Sequence, residues 1–320
     1  MGPLLWRVMI TTSCFLSGVV SQLQFGFYAP ACPDAEQVVR SVVAGATRVN
    51  QRVPALLLRL HFHDCFVEGC DGSILLGNPS DSERSAFGNQ GVEGFDVIQE
   101  AKSQLESICP GVVSCADIVA LAARDAIALS QGPNYEVPTG RRDGRISETD
   151  RAANLPDVEE PIQVLKAKFI AKGLTAKDLV LLTAAHSIGT TACFFMQRRL
   201  YNFDDINGAS DPAIDPTFLQ TLMSKCPPQS NSQRIPLDPT TPLLFDDELL
   251  RNIKRGVAVI QSDARLNDDD ETRQILDSYV LIPQASSFAA DFVDSILKMG
   301  ALQVKTGQEG EIRRVCGAVN

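Results

Sequence analysis

Arg59-Leu60-His61-Phe62-His63-Asp64-Cys65-Phe66 is the stretch on which the reading of this chain turns. It follows Pro54, a residue suited to a first helical turn, and the apolar run Leu56-Leu57-Leu58, so a helix is expected from about Pro54 to His63. On that helix Arg59 and His63 are four residues apart and share a face, while His61 points well away from them. A cation and a base then look into one space. A neutral imidazole can take a proton from a bound hydroxyl, and a guanidinium beside it can stabilise the negative charge left on oxygen. The pair suits reactions that make or break O–H and O–O bonds, although an Arg/His pair at this spacing is often only a surface pair.

The chain has three histidines, and the third, His186, lies in Thr183-Ala184-Ala185-His186-Ser187-Ile188-Gly189. All imidazole chemistry is therefore confined to two short motifs. Thr175 with Asp178 forms a capping-box pattern that opens a helix ending near His186. The small residues Ala184, Ala185 and Gly189 let a flat ligand approach the backbone, as an axial metal ligand requires; the plainer alternative is a buried structural histidine. A ligating histidine normally gives its second ring nitrogen to a carboxylate or carbonyl. Nearby sequence does not identify that partner.

Amphipathic helical patterns dominate and alternating strand-like runs are scarce, so the fold class is all-α. Further helices are expected at about Asp34 to Val49, Phe95 to Ser107, Ser114 to Ser130, Pro161 to Ala171, Pro216 to Lys225, Asp246 to Ile253, Asp270 to Val280 and Ser286 to Met299. Ser114 with Asp117 resembles a second capping box, and Gly173 is placed to stop the helix before it. No internal repeat or low-complexity tract interrupts the chain.

Residues 4 to 21 are apolar or small, carry only Arg7 and end Val19-Val20-Ser21, which reads as a secretory signal over residues 1–21 with the mature chain starting near Gln22. A membrane anchor is the weaker alternative, because Thr11-Thr12-Ser13 interrupts a short apolar stretch. Of nine cysteines Cys14 lies in that segment, leaving an even set of eight, as an exported, disulfide-bonded protein would have. Sequence does not choose among their many pairings, though Cys65 and Cys70 are the easiest neighbours to join. Zinc is the competing use, but there is no C-x-x-C. A formal net charge of -10 makes nucleic acid a poor partner. Asn78-Pro79-Ser80 is blocked as a glycosylation acceptor by its proline.

Asp64, Asp71 and Ser73 bracket a glycine-rich turn that can offer side-chain and backbone oxygens to a hard cation, and calcium suits an extracellular site. Asp238, Thr241 and Asp246 repeat that style around Pro239 and Pro242. The run Asp268-Asp269-Asp270-Glu271 is better read as a solvated, dipole-complementing helix start.

Together these stretches resemble the class III secretory plant peroxidases, from Gln22 to Asn320. The segment from Arg59 to Phe66 is similar to the family's distal signature, and Asp178 to Gly189 to its proximal one. Val113-Ser114-Cys115-Ala116-Asp117, Gly140-Arg141-Arg142-Asp143, Arg199-Leu200-Tyr201-Asn202-Phe203 and Gln261-Ser262-Asp263 also match in order and spacing. The resemblance implies a haem peroxidase fold of about ten or more helices, with a distal half (about 22–160) and a proximal half (about 161–320) sandwiching haem. It implies one noncovalent haem b, consistent with the absence of C-x-x-C-H, and two calcium ions.

By position, the resemblance makes His186 the haem iron ligand and Asp263 the acceptor of its other N–H. It makes His63 the distal acid/base, Arg59 its cationic helper and Asn89 its orienting partner, with Glu83 supporting them. Phe62 would wall the pocket and Pro156 border the donor site. The implied disulfides are Cys32 with Cys109, Cys65 with Cys70, Cys115 with Cys316 and Cys193 with Cys226. Calcium 1 would use Asp64, Val67, Gly69, Asp71 and Ser73; calcium 2 would use Ser187, Asp238, Thr241, Leu244 and Asp246. Ser187 stands where the family usually has threonine, and Asp247, Leu249 and Leu250 replace the Asn and paired tyrosines common there. Asp157, Glu159 and Glu160 crowd Pro156 and favour neutral or cationic donors.

The expected activity is reduction of hydrogen peroxide with one-electron oxidation of small phenolic donors, by a secreted monomer in the extracellular space or wall; a vacuolar address is less favoured. The rival reading is a haem-free extracellular protein in which calcium and disulfides serve binding or structure. A histidine hydrolase lacks support, since neither H-E-x-x-H nor G-x-S-x-G occurs.

Overall fold

The computed structural model describes residues 23–77, 81–281 and 287–320. The expected signal segment, its cut near Gln22, the Asn78-Pro79-Ser80 triplet and Ser286 lie outside the described residues. Twelve α-helices occur among the described residues: α1 (Ala35–Val49), α2 (Val53–Cys65), α3 (Phe95–Ile108), α4 (Cys115–Leu129), α5 (Ile162–Ala171), α6 (Ala176–Thr183), α7 (Gln197–Tyr201), α8 (Pro216–Lys225), α9 (Glu248–Lys254), α10 (Gln261–Arg265), α11 (Asp270–Val280) and α12 (Phe288–Met299).

The all-α expectation holds, and one short ribbon accompanies the helices. β1 (Thr190–Ala192) pairs antiparallel with β2 (Arg234–Pro236), Thr191 opposite Ile235. Three-residue strands are too short for alternation to show in sequence. The ribbon follows directly on the His186 motif and leads into Asp238, and Leu237 N–H extends it by donating to Gly189 O at 3.1 Å.

The helix starts follow local chemistry. Thr175 accepts from Asp178 N–H, and the Asp178 carboxylate accepts from Thr175 N–H, closing the full capping box of α6. Ser114 caps α4 by accepting from Asp117 N–H, but the box is only half made. The Asp117 carboxylate instead takes Tyr28 Oη–H, Gly140 N–H and Arg141 Nη1–H at 2.7 Å each. Gly173 ends α5 with φ +81°.

Helix α2 is held between two apolar cores. Leu57 and Leu60 pack with α1, α3 and α4, while Leu58, Cys65 and Phe66 pack with α5, α6, α9, α11 and α12. A third core gathers Cys193, Met196, Leu200, Leu222 and Ile260 beside the ribbon. With both sides packed, α2 has little freedom to rotate, which fixes where Arg59 and His63 point. Among the described residues four disulfides pair Cys32–Cys109, Cys65–Cys70, Cys115–Cys316 and Cys193–Cys226. Cys115–Cys316 carries the C-terminal end back to the α1–α4 core. Among the described residues no helix is long and apolar enough to cross a membrane.

Candidate active site

Arg59 and His63 do share a face of α2: Arg59 Nε–H donates to His63 Nε2 at 3.1 Å. The guanidinium is held by Gly91 O at 3.0 Å and Gln90 O at 3.2 Å. His63 Nδ1 lies 2.6 Å from Asn89 Oδ1, and Asn89 Nδ2–H donates to the Glu83 backbone carbonyl at 2.8 Å. Asn89 can only accept through Oδ1, so Nδ1 carries the hydrogen and Nε2 is the basic nitrogen. Burial first, then the Arg59 charge, pushes the His63 imidazole down to about 3, so it is neutral at ordinary pH. Burial also lowers Arg59, to about 10, which leaves it a cation.

His61 faces the other way, as its place on the helix requires. It is buried with Nδ1 3.6 Å from Cys65 Sγ, near Arg141 and Gly300. Phe62 stacks on Phe66 at 4.3 Å and meets the His63 ring edge-on at 5.6 Å.

Helix α6 stops at Thr183, and His186 stands in the following 3₁₀ turn, Ala184–Ser187, three residues beyond the helix. His186 Nδ1 pairs with Asp263 Oδ1 at 3.0 Å across 77 residues of sequence. This supplies the carboxylate that local sequence could not identify. Burial alone would depress the His186 imidazole, but the charge and hydrogen bond of Asp263 overcome it and the net shift is upward. Its carboxylate partner is fully buried, while 40% of the His186 side chain is accessible, so part of the ring is left uncovered by protein. Gly189, three residues after His186, lies against Ala55 of α2, so the two motifs border one region, and the His186 charge acts on His63 and the Arg59 charge on His186. The small residues near His186 divide in role. Ala184 is core and Gly189 is fixed by α2, since a Cβ there would meet Ala55 Cβ at 3.0 Å at φ +105°.

Glu83 links this region to the first oxygen-rich turn. Its carbonyl holds Asn89, while its carboxylate, buried beside Ser73 and Asp71, is pushed up to about 8 mainly by burial. Asp64 Oδ1, Ser73 Oγ and both Glu83 carboxylate oxygens are buried with no hydrogen-bond partner among the described residues. Such orphaned oxygens fit a hard cation. Two ligands assigned by position are already engaged: Val67 O accepts from Lys172 Nζ at 2.8 Å and Asp71 Oδ2 from Lys305 Nζ at 2.5 Å. Gly69 is required at φ +94°, where a Cβ would lie 2.6 Å from Gln303 Cβ.

In the second turn Asp238 Oδ1 accepts from Thr240 and Thr241 N–H at 2.7 and 3.0 Å, and Thr241 Oγ1–H donates to Asp246 Oδ1 at 3.1 Å. Leu244 N–H closes the same turn on Thr241 O. Ser187 Oγ is buried and orphaned, and the Gly189–Leu237 hydrogen bond brings its segment to the residue before Asp238. Among the described residues no group of three or more His, Cys, Asp or Glu could hold a metal, so both turns would rely on carbonyls and hydroxyls beside their two aspartates.

Pro156 is half-buried outside any helix or strand, and Leu155 before it packs on Gly88, next to Asn89. Sequence reasoning missed Phe87, which is 58% exposed at this edge. It also missed how the acidic residues are answered: Glu160 pairs with Lys168, and Glu159 with Arg198 at 3.3 Å. A surface cleft of about 560 Å³ between α1 and α3 lies apart from these groups and has no histidine or arginine in its lining. Chemistry, and not volume, marks the site.

The comparisons agree with the geometry. A family model described as Peroxidase matches residues 39–281. The chain is 57% identical to Peroxidase 43 and 58% identical to Peroxidase 13 of Arabidopsis thaliana, each over 305 residues that cover 94% of this chain and 93% of the relative. It is 44% identical to Peroxidase N1 of Nicotiana tabacum over 320 residues, 99% of this chain and 96% of that one.

Proposed function

The chain belongs to the class III plant peroxidase family and is a peroxidase, and from that premise we propose that it reduces hydrogen peroxide with small phenolic donors at the region bordered by His63 and His186. The family generally uses haem and calcium. The observation that carries the reading is the pairing of two oppositely prepared imidazoles. His63 is kept neutral with its hydrogen on Nδ1. His186 gives Nδ1–H to a buried carboxylate, which leaves Nε2 as the lone pair for a metal. With 40% of its side chain accessible, His186 leaves a face uncovered against which a macrocycle would lie.

Bound haem, held without covalent attachment, would supply the two electrons that peroxide cleavage consumes and the redox capacity to recover them singly from two donors. The rest is done by side chains of this protein. His63 Nε2 takes the proton from the nearer peroxide oxygen and returns it to the farther one, which leaves as water. Arg59 Nε–H now rests on that same Nε2, so peroxide displaces it, and the freed guanidinium faces the oxygen on which negative charge grows. Asn89 holds the ring and its tautomer through this exchange. Asp263 makes His186 a stronger electron donor by accepting its N–H. Phe62 and Pro156 would border the pocket and the donor edge.

The first oxygen-rich turn would hold one calcium through Asp64, Val67, Gly69, Asp71 and Ser73, and the second another through Ser187, Asp238, Thr241, Leu244 and Asp246. Ser187 adjoins His186, so the second ion would steady the iron ligand. Residues 1–21 would direct export to the extracellular space or wall, where the mature protein acts as a monomer. The test is an absorption spectrum of the purified protein with a phenol assay. A Soret band that His186→Ala abolishes, with peroxide-dependent oxidation, supports the reading; a band that survives the substitution removes His186 as ligand.

A further inference from the structure

Asp263 sits in the middle of α10, a helix of five residues. So short a helix has too few internal hydrogen bonds to hold its own place. Its position comes from elsewhere, and the hydrogen bonds show the source. Arg199, buried in α7, donates from Nη1 to the carbonyls of Ala258, Val259 and Ile260 at 2.5, 2.8 and 3.3 Å. These are the three residues leading into α10. Arg199 Nε–H also donates to Asp211 Oδ2 at 2.8 Å, and Arg265 Nη2–H, at the far end of α10, donates to that same oxygen at 2.7 Å. Asp211 thereby ties the entry and the exit of the helix to one buried guanidinium. Ser262 N–H, donating to Val158 O at 2.9 Å, adds a third tie.

Three buried side-chain atoms at this place have no partner among the described residues: the donors Arg199 Nη2 and Arg265 Nε and the acceptor Asp263 Oδ2. Each is costly to bury alone, and Asp263 Oδ2 can accept what Arg199 Nη2 has to give. The Asp263 charge reaches Arg199.

We propose that Arg199 is the positioning residue of the His186–Asp263 pair, placing α10 through the carbonyls of residues 258–260 and offering Nη2 to Asp263 Oδ2 directly or through one bridging water. The inference rests on the reading of His186 as iron ligand. Its consequence is electronic as well as structural: a carboxylate held in place keeps the His186 N–H polarised, and the ligand strongly donating.

Arg199→Lys separates this from ordinary structural support, because lysine keeps the charge but cannot span Asp211 and the carbonyls at once. In the haem-loaded protein the ferric/ferrous midpoint potential of Arg199→Lys is expected to rise, as a slackened His186–Asp263 bond stabilises ferric iron less. Arg124→Lys, in another buried ion pair with Asp125 and Glu36, controls for lost stability and leaves the potential in place. An equal loss of thermal stability in both variants with no change in potential overturns the proposal. Should Arg199→Lys fail to fold, a crystal structure of the unsubstituted haem-loaded protein decides. Nη2 joined to Oδ2, directly or through one water, supports it, and either atom bonded to a different partner overturns it. Failure of the unsubstituted protein to bind haem removes the proposed function itself, an outcome distinct from all of these.

Discussion

His63 Nδ1 and Asn89 Oδ1 lie 2.6 Å apart, though 26 residues separate them in the chain. This one contact selects the tautomer that leaves His63 Nε2 free to act as a base. Its partner is itself secured by Asn89 Nδ2–H on Glu83 O. Asn89→Val removes a hydrogen bond to a group that becomes charged during the reaction, worth about 1.5–3 kcal/mol, so the peroxide step slows by about ten- to a hundredfold. Stopped-flow mixing with peroxide measures it, and an unaltered rate constant would detach Asn89 from the base.

His63→Leu deletes the base and slows the same step by at least about 100-fold. The pH profile follows from the imidazole's depression to about 3 by burial and by Arg59. Only the neutral ring accepts a proton, so the rate is flat through the neutral range and falls as pH drops toward about 3. A rate that declines already between pH 7 and 6 contradicts this environment for His63.

Much of this site is written locally. Arg59 and His63 are four apart on one helix, and Thr175 with Asp178 states where α6 begins; both need only the neighbouring turn. His186–Asp263 is different in kind. The two residues meet across 77 positions because separate cores place α6 and α10 together, and no local pattern encodes that. The family resemblance supplied this pair and the disulfide pairings. The ribbon was illegible because three-residue strands have no visible period. The half-made box at Ser114 fails for a tertiary reason: Tyr28 and Arg141, distant in sequence, claim the Asp117 carboxylate.

The orphaned oxygens of Asp64 and Ser73 lead to a cation-dependent stability. Chelation is expected to lower the melting temperature, and calcium at about 100 times its dissociation constant restores about 2.7 kcal/mol. Asp64→Asn and Ser73→Ala should each blunt the calcium response in calorimetry. Identical melting curves with chelator and with calcium, in protein shown to be metal-free at the start, would exclude the site.

The acidic residues near Pro156 should matter less to donor choice than their number suggests, because Lys168 and Arg198 answer Glu160 and Glu159. Matched neutral and carboxylated phenols should differ only slightly in turnover. Lys168→Met should widen the preference for the neutral donor by about two- to fivefold at low salt, the upper end of the scale of a surface ion pair because this one is partly buried, and high salt should narrow it again. A Lys168→Met enzyme that treats both donors as the unsubstituted one does would show that this rim does not read donor charge.

His61 contributes to acid sensitivity without taking part in the chemistry. Its buried ring is pushed down to about 3, first by burial and then by the Arg141 charge, whereas in the unfolded chain it titrates near its ordinary 6.5. A folded value below the unfolded one means that the unfolded chain binds the proton first. The stability is therefore fully present above pH 6.5 and is lost as pH falls from there toward 3. Between pH 6.5 and 4 the share due to His61 is about 3 kcal/mol. His61→Gln has no such proton to bind, while His63 still titrates in both proteins. Urea unfolding at a series of pH values isolates the difference: the unsubstituted protein should lose more stability on acidification than His61→Gln, and parallel losses would mean that His61 is already protonated in the folded chain.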